Sequence, residues 1–443
     1  MNKDLTIGDP YKLLWKFCLP LFASVIFQQI YNITDSIVAG NFIGENALAA
    51  VGNSYEVTLI FLAFATGLNV GTSVVVARYF GAKEYSFLKT SIHTAYIFTG
   101  LIVFMLMMFG ILFCDTLLNM IHTPDIIFND SKLYLDIYIY GLPFLFYYNI
   151  STGIFAALGD SKTPFFFLMI SSISNIFMDI FFVAKLNMGV DGVAIATFIC
   201  QGASCILSLI FLFNRIKNLN VDEKTPFFSF NILKNILLIS IPSTIQQSAI
   251  SIGNIFIQSI INNYGASVIA GYSAAVKLNN LVTVSLVTVG NGITNYTSQN
   301  LGAKKFSRIN EGYKSGLKIL FTLVVPIITI YNLFSEQLIS FFMKNPTTYA
   351  ISTGVEFLHI VSPFYFLIAF KFLSDAILKG CGLMFPFMMA TIVDLVLRVI
   401  LAFILSPTLG TIGIWIAWPI SWLSAVIITY YAYKHINYHQ ITL

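Results

Sequence analysis

The sequence predicts an all-α integral membrane protein whose twelve transmembrane helices form two pseudo-symmetric six-helix lobes. Three observations lead to this fold class. Of the 443 residues, 57% are hydrophobic and only 10% are charged, whereas an average soluble domain carries about 25% charged residues. Apolar runs that are long enough to cross a bilayer follow one another along nearly the whole chain, since one helical span takes about 20 residues. Motifs of the first half also recur in the second half at a constant offset.

The apolar runs between polar clusters predict six spans in each half of the chain. The first lobe, 13–214, contains the predicted spans 13–42, 52–79, 88–114, 133–157, 163–184 and 189–214. The second lobe, 232–434, contains 232–262, 269–298, 310–334, 348–378, 383–405 and 410–434. We predict that 215–231 is a cytoplasmic linker and that 1–12 and 435–443 are cytoplasmic tails. No room remains for a folded soluble domain above ~50 residues, and no P-loop motif occurs, so a pump with its own ATPase domain is excluded.

The basic residues predict the orientation of the spans. If both termini are cytoplasmic, 18 of the 24 Lys and Arg residues lie in cytoplasmic segments, three lie outside and three lie within spans. Such a bias is the positive-inside signal of membrane proteins. The net charge of +4 therefore reflects topology rather than nucleic-acid binding. We expect a multi-pass protein of a bacterial plasma membrane, surrounded by lipid, with both termini in the cytoplasm.

An internal duplication relates the two lobes. Leu19-Pro20 recurs as Ile241-Pro242, and Gly81-Ala82-Lys83 recurs as Gly302-Ala303-Lys304, at offsets of 222 and 221 residues. Each half begins and ends in the cytoplasm, so the repeats are parallel and are related by an axis along the membrane normal. Secondary transporters are often built in this way, whereas a channel or an intramembrane enzyme needs no such pseudo-symmetry. The spans also contain no metalloprotease motif and no placeable nucleophile–base pair, so we expect no enzyme activity and no cofactor.

Four polar side chains of the first lobe are predicted to meet inside the membrane. They are Asp35 on span 1, Asn175 and Asp179 on span 5, and Thr197 on span 6. With a helical rise of 1.5 Å per residue, all four lie about 9–15 Å below the outer surface, and the i,i+4 spacing places Asn175 and Asp179 on one helix face. Placing an ionisable residue within a span costs roughly 2.5–3.5 kcal/mol, so the presence of two aspartates in this all-oxygen cluster calls for a functional explanation.

Oxygen ligands without nitrogen or sulfur suit a hard cation. In the absence of a cation, two buried carboxylates repel each other and at least one must take up a proton. For Asn175 and Thr197, hydrogen bonding between helices is the alternative interpretation.

The charged residues of the second lobe have a different pattern. Asp375 follows Lys371 and Arg398 follows Asp394, each at the i,i+4 spacing of an ion pair on one helix face. We therefore expect neutralising pairs, with direct contact to a substrate as the alternative for Lys277, Asp375, Asp394 and Arg398. Lys277 on span 8 has no local partner in the sequence, and Asp394 is a candidate.

Pro20 lies near the start of the first predicted span, on the same helix as Asp35. A proline inside a helix removes one hydrogen bond and permits a kink, so one interpretation is a bend that responds to neutralisation of Asp35. The other interpretation is a proline in the first helical turn.

Several motifs resemble those of the multidrug and toxic compound extrusion (MATE) family over the whole chain. The matching segments are Asp35-Ser36-Ile37-Val38-Ala39-Gly40 in span 1, Gly67-Leu68-Asn69-Val70-Gly71-Thr72-Ser73 in span 2, and Leu158-Gly159-Asp160-Ser161-Lys162-Thr163-Pro164 between spans 4 and 5.

The resemblance implies a secondary active efflux antiporter that exports organic, cationic compounds. It implies a sodium site formed by Asp35, Asn175, Asp179 and Thr197, with proton coupling through the same aspartates as the alternative. We expect a monomer, because the transport cleft of such proteins lies within one chain. The rival interpretation is a lipid-linked oligosaccharide flippase of the wider superfamily, which would require a strongly cationic interior.

Overall fold

The computed structural model describes residues 4–219, 225–343 and 347–441. Within these ranges the chain is helical and contains no strand. Residues 220–224 of the predicted linker lie outside the described residues, as do 1–3 and 442–443 of the predicted tails and 344–346. The helices of the first half are α1 Pro10–Val38, α2 Glu45–Ala82, α3 Tyr85–Met120, α4 Asp125–Tyr140, α5 Leu142–Ala157, α6 Lys162–Ile180 and α7 Val190–Lys217. Those of the second half are α8 Phe230–Asn262, α9 Ala266–Gly302, α10 Phe306–Leu333, α11 Ser335–Phe341, α12 Thr348–Val361, α13 Tyr365–Gly380, α14 Met384–Leu409 and α15 Thr411–Lys434.

These helices confirm the predicted fold class. In the described part of the chain, eleven helical segments are long and apolar enough to cross a membrane. The remaining predicted span, 133–157, is formed by α4 and α5, which are separated at Gly141 just before Pro143. Its counterpart in the second half is interrupted in the same way, by a short 3₁₀ turn at Ser362–Phe364 that contains Pro363. Proline lacks a backbone N–H and clashes with the preceding turn, so both interruptions have a local cause.

The chain forms two compact units. The first contains Leu19–Thr244, and the second contains Leu5–Cys18 together with Ile245–Leu443. Helix α1 therefore changes unit between Cys18 and Leu19, and α8 changes unit between Thr244 and Ile245. In each case a proline, Pro20 or Pro242, lies within a few residues of the change.

The duplication extends to unusual backbone conformations. Lys83 and Lys304, at matching positions, both adopt the left-handed conformation, with φ angles of 60° and 56°. Gly44 and Gly265, which precede α2 and α9, have φ angles of 138° and 88°. A left-handed conformation is costly for residues other than glycine, so its recurrence at both lysines shows that the repeat is structural and not only a sequence pattern.

Helix α2 packs closely on the first part of α8 inside the first unit. A Cβ atom added to Gly67 would lie 2.0 Å from Thr244 Oγ1, and one added to Gly71 would lie 2.0 Å from Ser240 Oγ. The Gly-x-x-x-Gly spacing is typical of helices whose backbones approach closely in membranes, and these two close approaches are of that kind.

Candidate functional site

The four polar residues of the first lobe are brought together in the first unit. Asp35 lies near the end of α1, Asn175 and Asp179 lie one turn apart on α6, and Thr197 lies on α7. Their side chains are almost inaccessible, with exposed fractions of 5% for Asp35, 1% for Asn175, 0% for Asp179 and 7% for Thr197. Burial of a charge without a partner is very costly, so the hydrogen bonds inside this cluster decide what it can hold.

Asn175 is the central residue of the cluster. When its amide nitrogen faces the carboxylates, it donates to Asp35 Oδ1 at 3.0 Å and to Asp179 Oδ2 at 3.2 Å, and its oxygen accepts the backbone N–H of Thr197 at 3.3 Å. When the amide is rotated by half a turn, its oxygen takes the place of the nitrogen and faces both carboxyl groups. The same side chain can therefore either donate hydrogen bonds to the two acids or complete a group of three oxygens.

The two acids share one small space. The carboxyl groups of Asp35 and Asp179 lie within hydrogen-bonding distance of each other. The second oxygen of Asp179, Oδ1, is buried and has no hydrogen-bond partner among the described residues. Two adjacent carboxylates repel strongly, so a proton or a cation must lie between them. The unpartnered Oδ1 has the chemistry to receive either one.

Tyr31 is a member of the cluster that sequence reasoning did not identify. Its hydroxyl donates to Thr197 Oγ1 at 3.2 Å. Tyr31 precedes Asp35 by four residues on α1, and this spacing was the available signal. With 22 Tyr residues in the chain, an aromatic side chain near an acid did not stand out.

Apolar side chains close one side of the site. Val38, Val183 and Val193 form a buried cluster against which Ile43 and Tyr134 pack. Both helices that carry the aspartates continue as π-helical segments, Ala39–Ile43 after α1 and Phe181–Lys185 after α6. Such π-helical turns are rare and are frequent at functional sites. The apolar cover lowers the local dielectric and so strengthens every electrostatic interaction within the cluster.

The charged residues of the second lobe form two separate ion pairs. Lys371 Nζ lies 2.9 Å from Asp375 Oδ2, and Arg398 Nη2 lies 2.7 Å from Asp394 Oδ1. All four side chains are buried. Arg398 also donates from Nε to Ser421 Oγ at 3.3 Å, and its guanidinium lies 4.4 Å from the ring centroid of Trp418.

Lys277 and Pro20 lie outside these two clusters. Asp394, the candidate partner of Lys277, is bonded to Arg398 instead. The exposed Lys277 places its Nζ 5.7 Å from the ring centroid of Phe342. Pro20 lies in the interior of α1, not in its first turn, and its carbonyl accepts the hydroxyl of Ser24 at 2.9 Å.

Comparisons with known proteins agree in fold and family. The MatE family model matches residues 20–181 and 242–404. The chain is 26% identical over 432 residues to the probable multidrug resistance protein YoeA of Bacillus subtilis, covering 95% of this chain and 92% of that protein. It is 27% identical over 435 residues to the probable multidrug resistance protein YpnP of the same organism, covering 97% and 96%.

A solved structure also has the same fold. It is described as the outward-facing conformation of a multidrug resistance MATE family transporter of the MOP superfamily. The TM-score is 0.90 over 98% of this chain and 97% of that chain, at 24% sequence identity.

Proposed function

Because this chain belongs to the MatE family of membrane transporters, we propose that it is a multidrug efflux antiporter that exports organic cations in exchange for sodium. The names of the two Bacillus subtilis relatives support drug export. The observation that carries the coupling assignment is the buried cluster of Asp35 and Asp179, with Asn175 between them. We assign the coupling ion to this cluster, with lipid on the outside of the helices and a single chain as the working unit.

Sodium fits the donor set of the cluster. Asp35, Asp179, Asn175 and Thr197 offer only oxygen atoms once the amide of Asn175 turns its oxygen inward, and hard cations prefer such ligands. In the absence of sodium, the amide nitrogen donates to both acids, which share a proton. Ion binding and release are thereby linked to one rotation of Asn175. Proton coupling is the alternative at the same residues, with the amide remaining in one orientation.

The available driving force is sufficient for export. A potential of 100 mV contributes about 2.3 kcal/mol for each charge moved, and a tenfold ion gradient contributes about 1.4 kcal/mol. In the proposed cycle, sodium enters from outside and occupies the first-lobe site, and this favours one of the two access states. The drug leaves on the outer side, and sodium is released to the cytoplasm of a bacterial cell.

The flippase alternative is not favoured by the second-lobe charges. A pyrophosphate-linked substrate requires unpaired basic groups in the interior. Lys371 and Arg398 are each bonded to a buried aspartate, and their charges are thereby neutralised.

Transport into everted vesicles tests the proposal. Vesicles loaded with sodium and diluted into sodium-free buffer should accumulate a fluorescent organic cation, and Asp35→Asn should reduce the initial rate at least tenfold. Glu56→Gln, a change of an exposed acid on α2, should leave the rate unchanged. A proton gradient that replaces sodium would change the ion but keep the site. Sodium-driven transport that survives Asp35→Asn would contradict the assignment.

A further inference from the structure

The segment before α1, residues 5–9, is bound to the second unit, and we call it the N-terminal strap. The sequence predicts that these residues belong to a cytoplasmic tail. In the structure Leu5 is fully buried and Thr6 is 5% exposed, whereas the neighbouring Ile7 is 62% exposed. Leu5 is therefore an apolar anchor at the start of a short segment that is buried at Leu5 and Thr6 and exposed from Ile7 to Asp9.

Polar side chains at the end of α9 hold the backbone of the strap at Leu5. The Leu5 N–H donates to Gln299 Oε1 at 2.8 Å, and Asn300 Nδ2 donates to the Leu5 carbonyl at 3.3 Å. Both partners are completely buried. Buried hydrogen bonds to a backbone N–H and a backbone carbonyl are directional, so they hold the strap in one register against α9.

Two basic residues that follow α9 complete the attachment. Lys305 Nζ donates to the Thr6 carbonyl at 2.9 Å and to Thr6 Oγ1 at 3.1 Å. Arg308 Nη2 donates to the Gly8 carbonyl at 2.9 Å, while its Nε donates to Asn300 Oδ1 at 3.1 Å. The amide of Asn300 is thus shared between the strap and Arg308, and this links all the contacts into one network.

The attachment continues into α1. Asp9 caps the helix, because its Oδ1 accepts the Lys12 N–H at 2.8 Å, and Pro10 at the start has the fixed φ that suits a first turn. A Cβ atom on Gly292 of α9 would lie 2.6 Å from Cys18 Sγ, so α1 remains in close contact with α9 as far as Cys18. The chain then leaves the second unit between Cys18 and Leu19, immediately before Pro20.

A similar attachment precedes α8 in the first unit. The Ser229 N–H donates to Thr94 Oγ1 on α3 at 3.1 Å, and the ring of Phe227 lies 5.4 Å from the ring of His93. Helix α8 then changes unit shortly after Pro242. Helices α1 and α8 therefore share one arrangement. Each follows a bound segment, begins in one unit, contains a proline near the change of unit and ends in the other unit.

We propose that Gln299, Asn300, Lys305 and Arg308 are positioning residues that, through the strap and α1, couple the state of the ion site to transport. They make the first turns of α1 a fixed part of the second unit, while Asp35 lies on the part of α1 that belongs to the first unit. If a change of state at Asp35 bends α1 at Pro20, the fixed start of the helix transmits that bend to the second unit. The inference rests on the proposed function, since it assumes ion-coupled transport.

The test compares Leu5→Asp with Ile7→Asp in the full chain. The two positions are two residues apart, and each change replaces an aliphatic side chain of the same size with a carboxylate. Only Leu5→Asp replaces the buried anchor. Three quantities are measured: hydrogen exchange of the strap amides, binding of radiolabelled sodium, and sodium-driven accumulation of a fluorescent cation. In Leu5→Asp the strap amides should exchange at the rate of an exposed chain, sodium affinity should stay within twofold of the wild type, and transport should fall at least tenfold. Ile7→Asp should match the wild type in all three.

Wild-type transport in a Leu5→Asp variant whose strap has been released would overturn the proposal. Loss of sodium binding in that variant would also overturn it, because the strap would then support the site itself rather than its coupling to transport. If Leu5→Asp does not fold, Arg308→Met removes the side-chain bonds to Gly8 and Asn300 at a partly exposed position and should lower transport at least threefold with unchanged sodium affinity. An inactive wild type would instead refute the proposed function, and the two failures are therefore distinguishable.

Discussion

Asp35 and Asp179 acquire their proposed role from what surrounds them. In water both would be separately ionised, but here they lie side by side, nearly inaccessible, with one oxygen of Asp179 unpartnered among the described residues. Asn175 contacts both carboxyl groups, and the hydroxyl of Tyr31 donates to Thr197 Oγ1 of the same cluster. We infer that the two acids bind and release one positive charge, either a proton or a sodium ion. A pair that stayed doubly ionised or permanently neutral would not respond to an ion gradient.

Tyr31→Phe should weaken ion binding without destroying the site. The change removes the hydroxyl that donates to Thr197 Oγ1 and leaves the ring in place. One hydrogen bond contributes about 1 kcal/mol, so we expect sodium affinity to fall roughly fivefold, as measured from the sodium dependence of transport. Tyr140→Phe, at an exposed position of α4, is the matched control. An unchanged sodium affinity in Tyr31→Phe would exclude Tyr31 from the site.

Removing one partner of the Lys371–Asp375 pair should destabilise the protein more than removing both. Asp375→Asn leaves a buried ammonium without its partner, and breaking a buried pair in this way costs about 3–5 kcal/mol. The double variant Lys371→Met/Asp375→Leu should have a higher melting temperature than Asp375→Asn and should retain sodium-driven transport. Loss of transport in a folded double variant would assign the pair to the mechanism.

Charged residues of the site are easier to predict from the sequence than uncharged ones. Asp35 and Asp179 stand out because an acid in an apolar run is costly, and Asn175 follows from its spacing to Asp179. Tyr31 could not be distinguished from the other aromatic residues. The separation of Lys277 from Asp394 depends on tertiary contacts that no local pattern encodes.

The crossing of α2 and α8 is a packing feature at the scale of helices. Gly71→Ala would place a methyl group 2.0 Å from Ser240 Oγ and 2.6 Å from the Ile236 carbonyl. Overpacking of this kind costs about 1–3 kcal/mol, so a lower melting temperature is expected. Gly52→Ala lies on the same helix with nothing within 4 Å and should be neutral or stabilising. Equal melting temperatures for both variants would rule out the close crossing.

The loop before α6 predicts a pH-dependent contribution to stability. Asp160 accepts the backbone N–H groups of Lys162 and Thr163 at 3.0 and 3.1 Å, the hydroxyl of Thr163 at 2.6 Å, and a bond from Arg215. Burial alone would raise the pKa of Asp160, but the hydrogen bonds from Thr163 and Arg215 outweigh it and lower the pKa below the ordinary value.

A carboxylate with a lowered pKa stabilises the fold at neutral pH, and the contribution is lost as the pH falls through the folded-state pKa. Asp160→Asn should therefore unfold at a lower temperature than the wild type at pH 7. The difference should shrink as the pH is lowered below the ordinary range of a carboxyl group. A difference that stays constant into acid would show that the charge of Asp160 contributes nothing.

Helix positions followed from the apolar runs, but helix interruptions did not. Every predicted span corresponds to a helical segment, because about 20 apolar residues are needed to cross the bilayer whatever the tertiary structure. The breaks at Gly141 and at Ser362–Phe364 lie at prolines that sequence reasoning treated as parts of continuous spans. Proline can kink a membrane helix or break it, and packing decides which of the two occurs.

At the scale of the whole molecule, a duplicated backbone carries two different chemistries. Matching left-handed lysines, glycines and prolines persist in both halves. The first unit, however, buries Asp35 and Asp179 beside each other, whereas in the second unit the buried Asp375 and Asp394 are each paired with a base. We infer that duplication supplies the scaffold for alternating access, and that loss of symmetry in the polar residues restricts ion coupling to the first lobe.

Binding of radiolabelled sodium to the purified protein tests this central claim most directly. The account predicts one saturable site in the wild type that is lost in Asp35→Asn and in Asp179→Asn but is retained in Lys371→Met/Asp375→Leu. Sodium binding that persists in both aspartate variants and disappears in the second-lobe double variant would contradict it.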